Sequence, residues 1–175
     1  MIDATVELLA ERGYEATTVQ AISRRSGVHT SAIYRRWPTR VALIQEVTLP
    51  LFREGRFRPT GDLRRDLKRF ATAMAKQYAT PEARAAIPSL LAAYQAGTVT
   101  APEEFGRISL RPQFNAILDA AGPDQVDPAV DRDDAFDMLL GAMLARTFVP
   151  TAAARRPPID RSVDLVVRML RPERD

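Results

Sequence analysis

The chain has 175 residues, with 25 Lys and Arg against 22 Asp and Glu, a net charge of +3, one histidine and no cysteine. That length fits one mid-sized domain, or a small domain joined to a larger one, with a core that needs no covalent staples. Lack of cysteine excludes a disulfide framework and a thiolate metal site, and the lone His29 cannot build a zinc site, so neither metal nor cofactor is expected. No basic-then-apolar stretch marks a signal peptide, and the uncharged run over residues 85–102 is broken by Pro88, Gln95, Gly97, Thr98 and Thr100. A soluble, cytoplasmic protein with no membrane partner is therefore expected.

Apolar residues recur mostly at helical spacing, and alanine and arginine are abundant, which predicts an all-α fold. Gly13, Gly27, Pro38, the Arg58–Gly61 turn, Gly97, Gly122-Pro123 and residues 152–158 divide the chain into nine helical blocks. The first runs from about Ile2 to Arg12, with Ile2, Val6, Leu9 and Ala10 as its apolar stripe and Gly13 as its stop. The second begins at Thr17, which has capping-box spacing to Gln20, and ends near Arg25 before the Ser26-Gly27 turn. A third spans about His29 to Arg36 and is stopped by Pro38; Thr39 caps a fourth that continues to about Phe52.

Two short helices joined by a glycine turn form the core of a helix-turn-helix, here Thr18 to Arg36, packed through Ile22, Val28 and Ile33. Its third helix then exposes His29, Thr30, Ser31, Tyr34 and Arg35, polar groups suited to base edges and phosphates in a major groove. Residues 16–45 contain five arginines (Arg24, Arg25, Arg35, Arg36 and Arg40) and no acid, whereas the rest of the chain sums to −2. Such a local cationic patch points to a polyanion, with a solvated basic face as the competing reading. Thr17 with Thr18, and Thr39 with Arg40, begin helices whose free N–H groups suit phosphates, and Arg25 is a further candidate phosphate contact. Trp37 reads as a packing residue between the third and fourth helices.

The run Glu11-Arg12-Gly13-Tyr14-Glu15-Ala16-Thr17-Thr18-Val19, then Ile22, Ser26-Gly27-Val28, Ile33-Tyr34-Arg35-Arg36-Trp37-Pro38 and Arg40, resembles the DNA-binding domain of the TetR/AcrR family. The resemblance covers Ile2 to about Val47. It implies a homodimeric repressor on a near-palindromic operator, with a C-terminal region that binds a small apolar or amphipathic ligand. It also implies that Tyr34 and Arg40 contact phosphates, that Thr18 meets the backbone, and that His29, Thr30, Ser31 and Arg35 occupy operator-dependent positions. Two residues depart from the family pattern: His29 replaces a common serine or glycine cap, and Val41 replaces a common acid. The chain also begins at Met1 without the basic arm that many members carry, so a start within a longer protein stays open. The division expected is a DNA-binding domain over residues 1–46 and a helical ligand-binding and dimerisation domain over residues 47–175.

Farther on, Leu63, Leu67, Phe70, Met74 and Tyr78 mark one face of a helix. Others cover about Pro81–Ala96 with Pro88 inside, Pro102–Ala121 with a kink at Pro112, Arg132–Val149 and Ile159–Leu170. Phe52, Met74, Tyr78, Tyr94, Phe105 and Phe114 fall on the middle helices, where the resemblance puts a pocket; ordinary core packing is the competing reading. The last two helices read as a dimer interface through Leu140, Gly141, Leu144, Val163 and Val167, giving a four-helix bundle across a two-fold axis; packing of both faces within the protomer is the competing reading. An enzyme is not expected: the sequence lacks convergent catalytic groups, and the acidic cluster Asp131, Asp133, Asp134 and Asp137 merely opens a helix. The alternative is a DNA-binding regulator without a ligand, whose C-terminal region only dimerises or docks a partner.

Overall fold

Residues 1–48, 57–95, 110–149 and 158–172 are described by the structure, a computed structural model, apart from the side chains of residues 93 and 94. Among them are nine helices and no strand, the all-α architecture expected. They are α1 (Ile2–Ala16), α2 (Val19–Ser26), α3 (Thr30–Arg36), α4 (Arg40–Thr48), α5 (Leu63–Tyr78), α6 (Pro81–Gln95), α7 (Arg111–Ala121), α8 (Arg132–Phe148) and α9 (Ile159–Leu170). Two compact units result: α1–α4 with α6, and α5 with α7–α9, the last residue of α5 grouping with the first unit.

Two apolar clusters hold the first unit together, and α4 serves both. Leu8, Val19, Ile22, Ile33, Trp37, Leu43 and Val47 form the helix-turn-helix core, with Val28 packed against it. Leu9, Tyr14, Ile44, Ala86 and Leu90 form the second, which joins α1 and α4 to α6. The N-terminal stripe therefore differs from expectation: Leu8 and Leu9 are both buried because α1 is covered on two sides, whereas Ala10 is exposed.

The turn after α1 also differs. Gly13 adopts φ 75°, ψ −179°, a conformation open essentially to glycine alone, and the chain turns there. Thr17 is carried inward, with 0% of its surface exposed, and its hydroxyl donates to the Gly13 carbonyl at 2.7 Å. The capping role passes to Thr18, whose Oγ1 accepts from the Ala21 N–H at 3.1 Å, in place of the expected Thr17–Gln20 box. Gly27 ends α2 in the left-handed conformation (φ 71°, ψ 3°), and its N–H donates to the Ser23 carbonyl at 2.9 Å.

The predicted stripe of α5 is buried, and in the second unit Phe70 meets Phe114, which meets Phe136, at ring separations of 6.2 and 5.6 Å. Asp62 caps α5 by accepting the Arg65 N–H at 2.9 Å. Asp66, one turn on and fully buried, gathers the backbone N–H groups of Thr60 (2.5 Å) and Gly61 (3.2 Å) and the Arg69 guanidinium (2.9 Å). Asp131 accepts from the N–H groups of Asp133 and Asp134, so the acidic cluster does open α8. Pro112 stands in the first turn of α7, where a missing N–H costs nothing, and does not kink a helix in its described extent.

Candidate nucleic-acid interface

The third helix is short because its sequence pins both ends and one face. Ile33 and Trp37 point into the core, which turns Ser31, Tyr34 and Arg35 to solvent, with Thr30 half-exposed beside them. Tyr34 leaves 46% of its surface exposed, a large amount for an aromatic side chain without a partner to cover it. His29 is the N-cap: its Nδ1 accepts from the Ser31 N–H at 3.3 Å and lies 2.8 Å from Ser31 Oγ. At the other end, Trp37 Nε1–H donates to Glu46 of α4 at 2.7 Å, and Arg36 donates to the same carboxylate at 3.1 Å. The Arg36 guanidinium also lies 4.5 Å from the Trp37 ring centroid. Glu46 thus ties the recognition helix to α4, a connection that charge counting along the sequence missed.

The five arginines of the basic segment are not equivalent. Arg25 bonds Glu11 at 2.8 Å and lies 3.5 Å from Glu7, both on α1. The hydrogen bond from Arg25 holds the Glu11 carboxyl below its ordinary range. Arg40 lies over the Tyr14 ring at 4.3 Å and donates to the carbonyls of Tyr14 (3.3 Å) and Glu15 (3.5 Å), at the end of α1. Arg24 and Arg35 stay exposed with no carboxylate partner among the described residues. Thr18 and Thr39 are spent as caps through their oxygens, the latter accepting from the Ala42 N–H at 3.0 Å, but each retains its hydroxyl hydrogen. Thr17 is withdrawn from the surface, so its side chain is no candidate for a DNA contact.

The expected pocket residues scatter. Met74 and Phe114 are fully buried within the second unit, Phe114 in the aromatic row described above. Tyr78 is buried, and burial pushes its hydroxyl pKa up. Phe52, Phe105 and the side chain of Tyr94 lie outside the described residues. Beside α5 is an open depression of about 660 Å³ whose lining mixes Asp62, Thr72 and Ala73 with Arg64, Arg65, Lys68, Arg69 and Lys76, and includes none of the expected pocket residues. Among the described residues no group of three His, Asp or Glu side chains could hold a metal ion, and no helix is long and apolar enough to cross a membrane.

Of the expected interface residues, Gly141 is exposed and Leu140 and Leu144 are half-buried, but Val163 and Val167 are buried in the protomer's own core. The stripe of α9 is apolar as expected, but Val163 and Val167 face the protomer's own core and not a second subunit. It is covered from within, and the apolar surface left to solvent is Leu165 (54% exposed) on α9, with Met138, Gly141 and Ala145 on α8.

Comparison with known proteins agrees with this arrangement. Residues 1–47 match the model for bacterial regulatory proteins of the tetR family, and residues 57–166 match the tetracyclin repressor-like C-terminal domain. An HTH-type transcriptional regulator of Mycobacterium tuberculosis is 25% identical over 185 residues, spanning 95% of this chain and 82% of its own. The HTH-type regulator AqdR of Rhodococcus erythropolis is 33% identical over 82 residues, 46% of this chain and 40% of its own. Among solved structures, a TetR transcriptional regulator from a Rhodococcus species superposes with a TM-score of 0.58 at 17% identity, covering 96% of this chain and 89% of that one. The TetR family regulator PfmR from Thermus thermophilus gives a TM-score of 0.51 at 22% identity, with 99% and 98% covered. At these identities the two structures speak to the fold alone.

Proposed function

Since the chain belongs to the TetR family of bacterial regulatory proteins, and is thus a DNA-binding transcriptional regulator and not an enzyme, we propose that it is a cytoplasmic, homodimeric repressor released from its operator by a small apolar or amphipathic ligand. The observation that carries the DNA-binding half is the orientation of α3: Ile33 and Trp37 inward, Ser31, Tyr34 and Arg35 outward. In this reading α3 enters the major groove, Arg35 bonds base edges, and Tyr34 with the hydroxyls of Thr18 and Thr39 meets phosphates. Arg40 keeps N–H groups beyond those it gives to α1, and these reach the backbone, whereas Arg25 is largely neutralised by Glu7 and Glu11.

Two copies related by a two-fold axis place their recognition helices roughly 34–36 Å apart, one turn of DNA. The apolar surface of Met138, Gly141, Ala145 and Leu165 supports pairing through α8 and α9. We keep the functional division at residues 1–46 and 47–175, with α4 leading from one into the other. Its two faces support a role in coupling: Leu43 and Val47 pack into the helix-turn-helix core, Ile44 into the cluster with α6. A ligand that displaces α4 or α6 would move α3 with it, with a coupling of about 1–3 kcal/mol typical of such linkage.

The DNA-binding reading is tested by Arg35→Ala. Against a duplex selected from a random pool, affinity is expected to fall about tenfold, with a smaller loss on random DNA of equal length. Equal losses on both would remove Arg35 from base reading. Ligand control is tested by screening apolar and amphipathic compounds. A compound that raises the melting temperature and dissociates the protein–DNA complex is the expected result, and one that stabilises the protein without releasing the duplex would refute release.

A further inference from the structure

A serine in a recognition helix is ordinarily ambivalent, because its hydroxyl can donate to one base and accept from another. Ser31 is not in that position. Its backbone N–H points at Nδ1 of His29, 3.3 Å away, and a backbone amide has only a hydrogen to give. Nδ1 must therefore carry its lone pair, and in the neutral ring the imidazole hydrogen sits on Nε2. The Ser31 hydroxyl lies 2.8 Å from the same Nδ1. With no hydrogen on that nitrogen, the hydroxyl is the donor, and its single hydrogen is directed back at the imidazole. Both side chains stand on the exposed side of α3. What Ser31 offers outward is oxygen lone pairs alone; what His29 offers outward is the Nε2–H alone.

From this pairing, and resting on the reading of the chain as a DNA-binding regulator, we propose that His29 and Ser31 form a two-residue specificity element in which His29 fixes the hydrogen-bonding polarity of Ser31. In the major groove the donors are the exocyclic amines of adenine (N6) and cytosine (N4), whereas guanine and thymine meet a side chain with acceptors. Ser31 accordingly selects adenine or cytosine on the strand it meets and rejects guanine and thymine. His29 donates to an acceptor: guanine O6 or N7, adenine N7, thymine O4 or a phosphate oxygen. Thr30 and Tyr34 carry no comparable intrahelical restraint on their hydroxyls among the described hydrogen bonds, so the restriction belongs to Ser31. His29 is a positioning residue in this scheme, because its effect on base choice at the Ser31 position acts through another side chain.

The test is selection of bound duplexes from a random pool with the full chain, comparing the unaltered protein with Ser31→Ala, His29→Gly and His29→Asn. Glycine removes the imidazole and is itself a favoured N-cap residue. Asparagine retains a capping acceptor that receives the same two hydrogens. Ser31→Ala is expected to make one position in each half-site indifferent, and the unaltered protein is expected to favour adenine or cytosine there by about tenfold. His29→Gly is expected to admit guanine and thymine at that position, to relax any position that the His29 Nε2–H itself reads and to keep the rest of the half-site, and His29→Asn to restore the preference at the Ser31 position. Folding of each variant is checked by circular dichroism. The comparison of the unaltered protein with Ser31→Ala stands even if His29→Gly fails to fold. The proposal is overturned if the Ser31-dependent base is guanine or thymine, if Ser31→Ala changes no position, or if folded His29→Gly keeps the original preference. Failure of the underlying reading looks different: the unaltered protein would retain no duplex at low salt.

Discussion

Replacing Phe114 with alanine is expected to lower the stability of the protein by about 3–5 kcal/mol, the range for removing a fully enclosed aromatic ring. Phe114 has 0% of its surface exposed and touches Phe70 and Phe136 in tilted and edge-on arrangements, with ring centroids 6.2 and 5.6 Å away. Each such pairing adds about 0.5–1.5 kcal/mol beyond the area buried. Deleting the ring breaks two of them and leaves a void that neighbours on α5 and α8 can fill only in part. The measurement is urea unfolding followed by circular dichroism, with the denaturant slope compared between the two proteins. The outcome bears directly on ligand control, because the sequence makes Phe114 a candidate pocket residue. A side chain lining an empty cavity contributes far less to stability, since one side of it has no packing partner to lose. A loss below about 1 kcal/mol would return Phe114 to a pocket wall; the expected larger loss makes it core and directs the search for ligand contacts to other residues.

What was readable beforehand follows a physical pattern. Helix existence came through because caps and apolar periods are local: the spacing of Leu63, Leu67, Phe70, Met74 and Tyr78 predicts a buried face, and all five are buried. Gly27 and Pro38 mark turns for reasons contained in single residues. The helix-turn-helix was readable for the same reason, since its core residues Ile22 and Ile33 lie within one short stretch.

Three things were not contained in single residues or in apolar spacing. Thr17 and Thr18 are chemically identical neighbours, and the choice between them was made by the backbone at Gly13, which swings Thr17 inward. The partners of Arg25 and Arg40 lie 14 to 26 residues earlier, on α1, so a count of positive charge could not tell the compensated arginines from Arg24 and Arg35. An amphipathic helix announces a buried face without naming what buries it. The apolar period of α9 predicts an interface through Val163 and Val167, yet their own protomer covers them, and Leu165, on the opposite side of the same helix, is the side chain left exposed.

Glu46→Ala is expected to weaken operator binding about thirtyfold and to cost about 2–3 kcal/mol of stability, chiefly through one orphaned donor. The Trp37 side chain is buried, and its indole N–H reaches Glu46 at 2.7 Å in a part-buried contact; without the carboxylate that donor loses its protein acceptor. The Arg36 contact at 3.1 Å contributes less, because that guanidinium is 60% exposed and solvent screens the pair. Its loss nevertheless releases the end of α3 from α4, and the recognition helix then samples orientations that do not fit a groove. Glu46→Gln separates the two effects. Glutamine keeps an acceptor for the indole and gives up the charge, so most of the stability should return, together with most of the affinity if orientation of α3 is what matters. The readouts are urea unfolding and titration of a selected duplex at fixed salt. Should Glu46→Ala lose stability yet bind the duplex as the unaltered protein does, α4 would not set the position of the recognition helix through this carboxylate. Coupling from the C-terminal region would then have to run through the apolar contacts of Leu43 and Val47 alone.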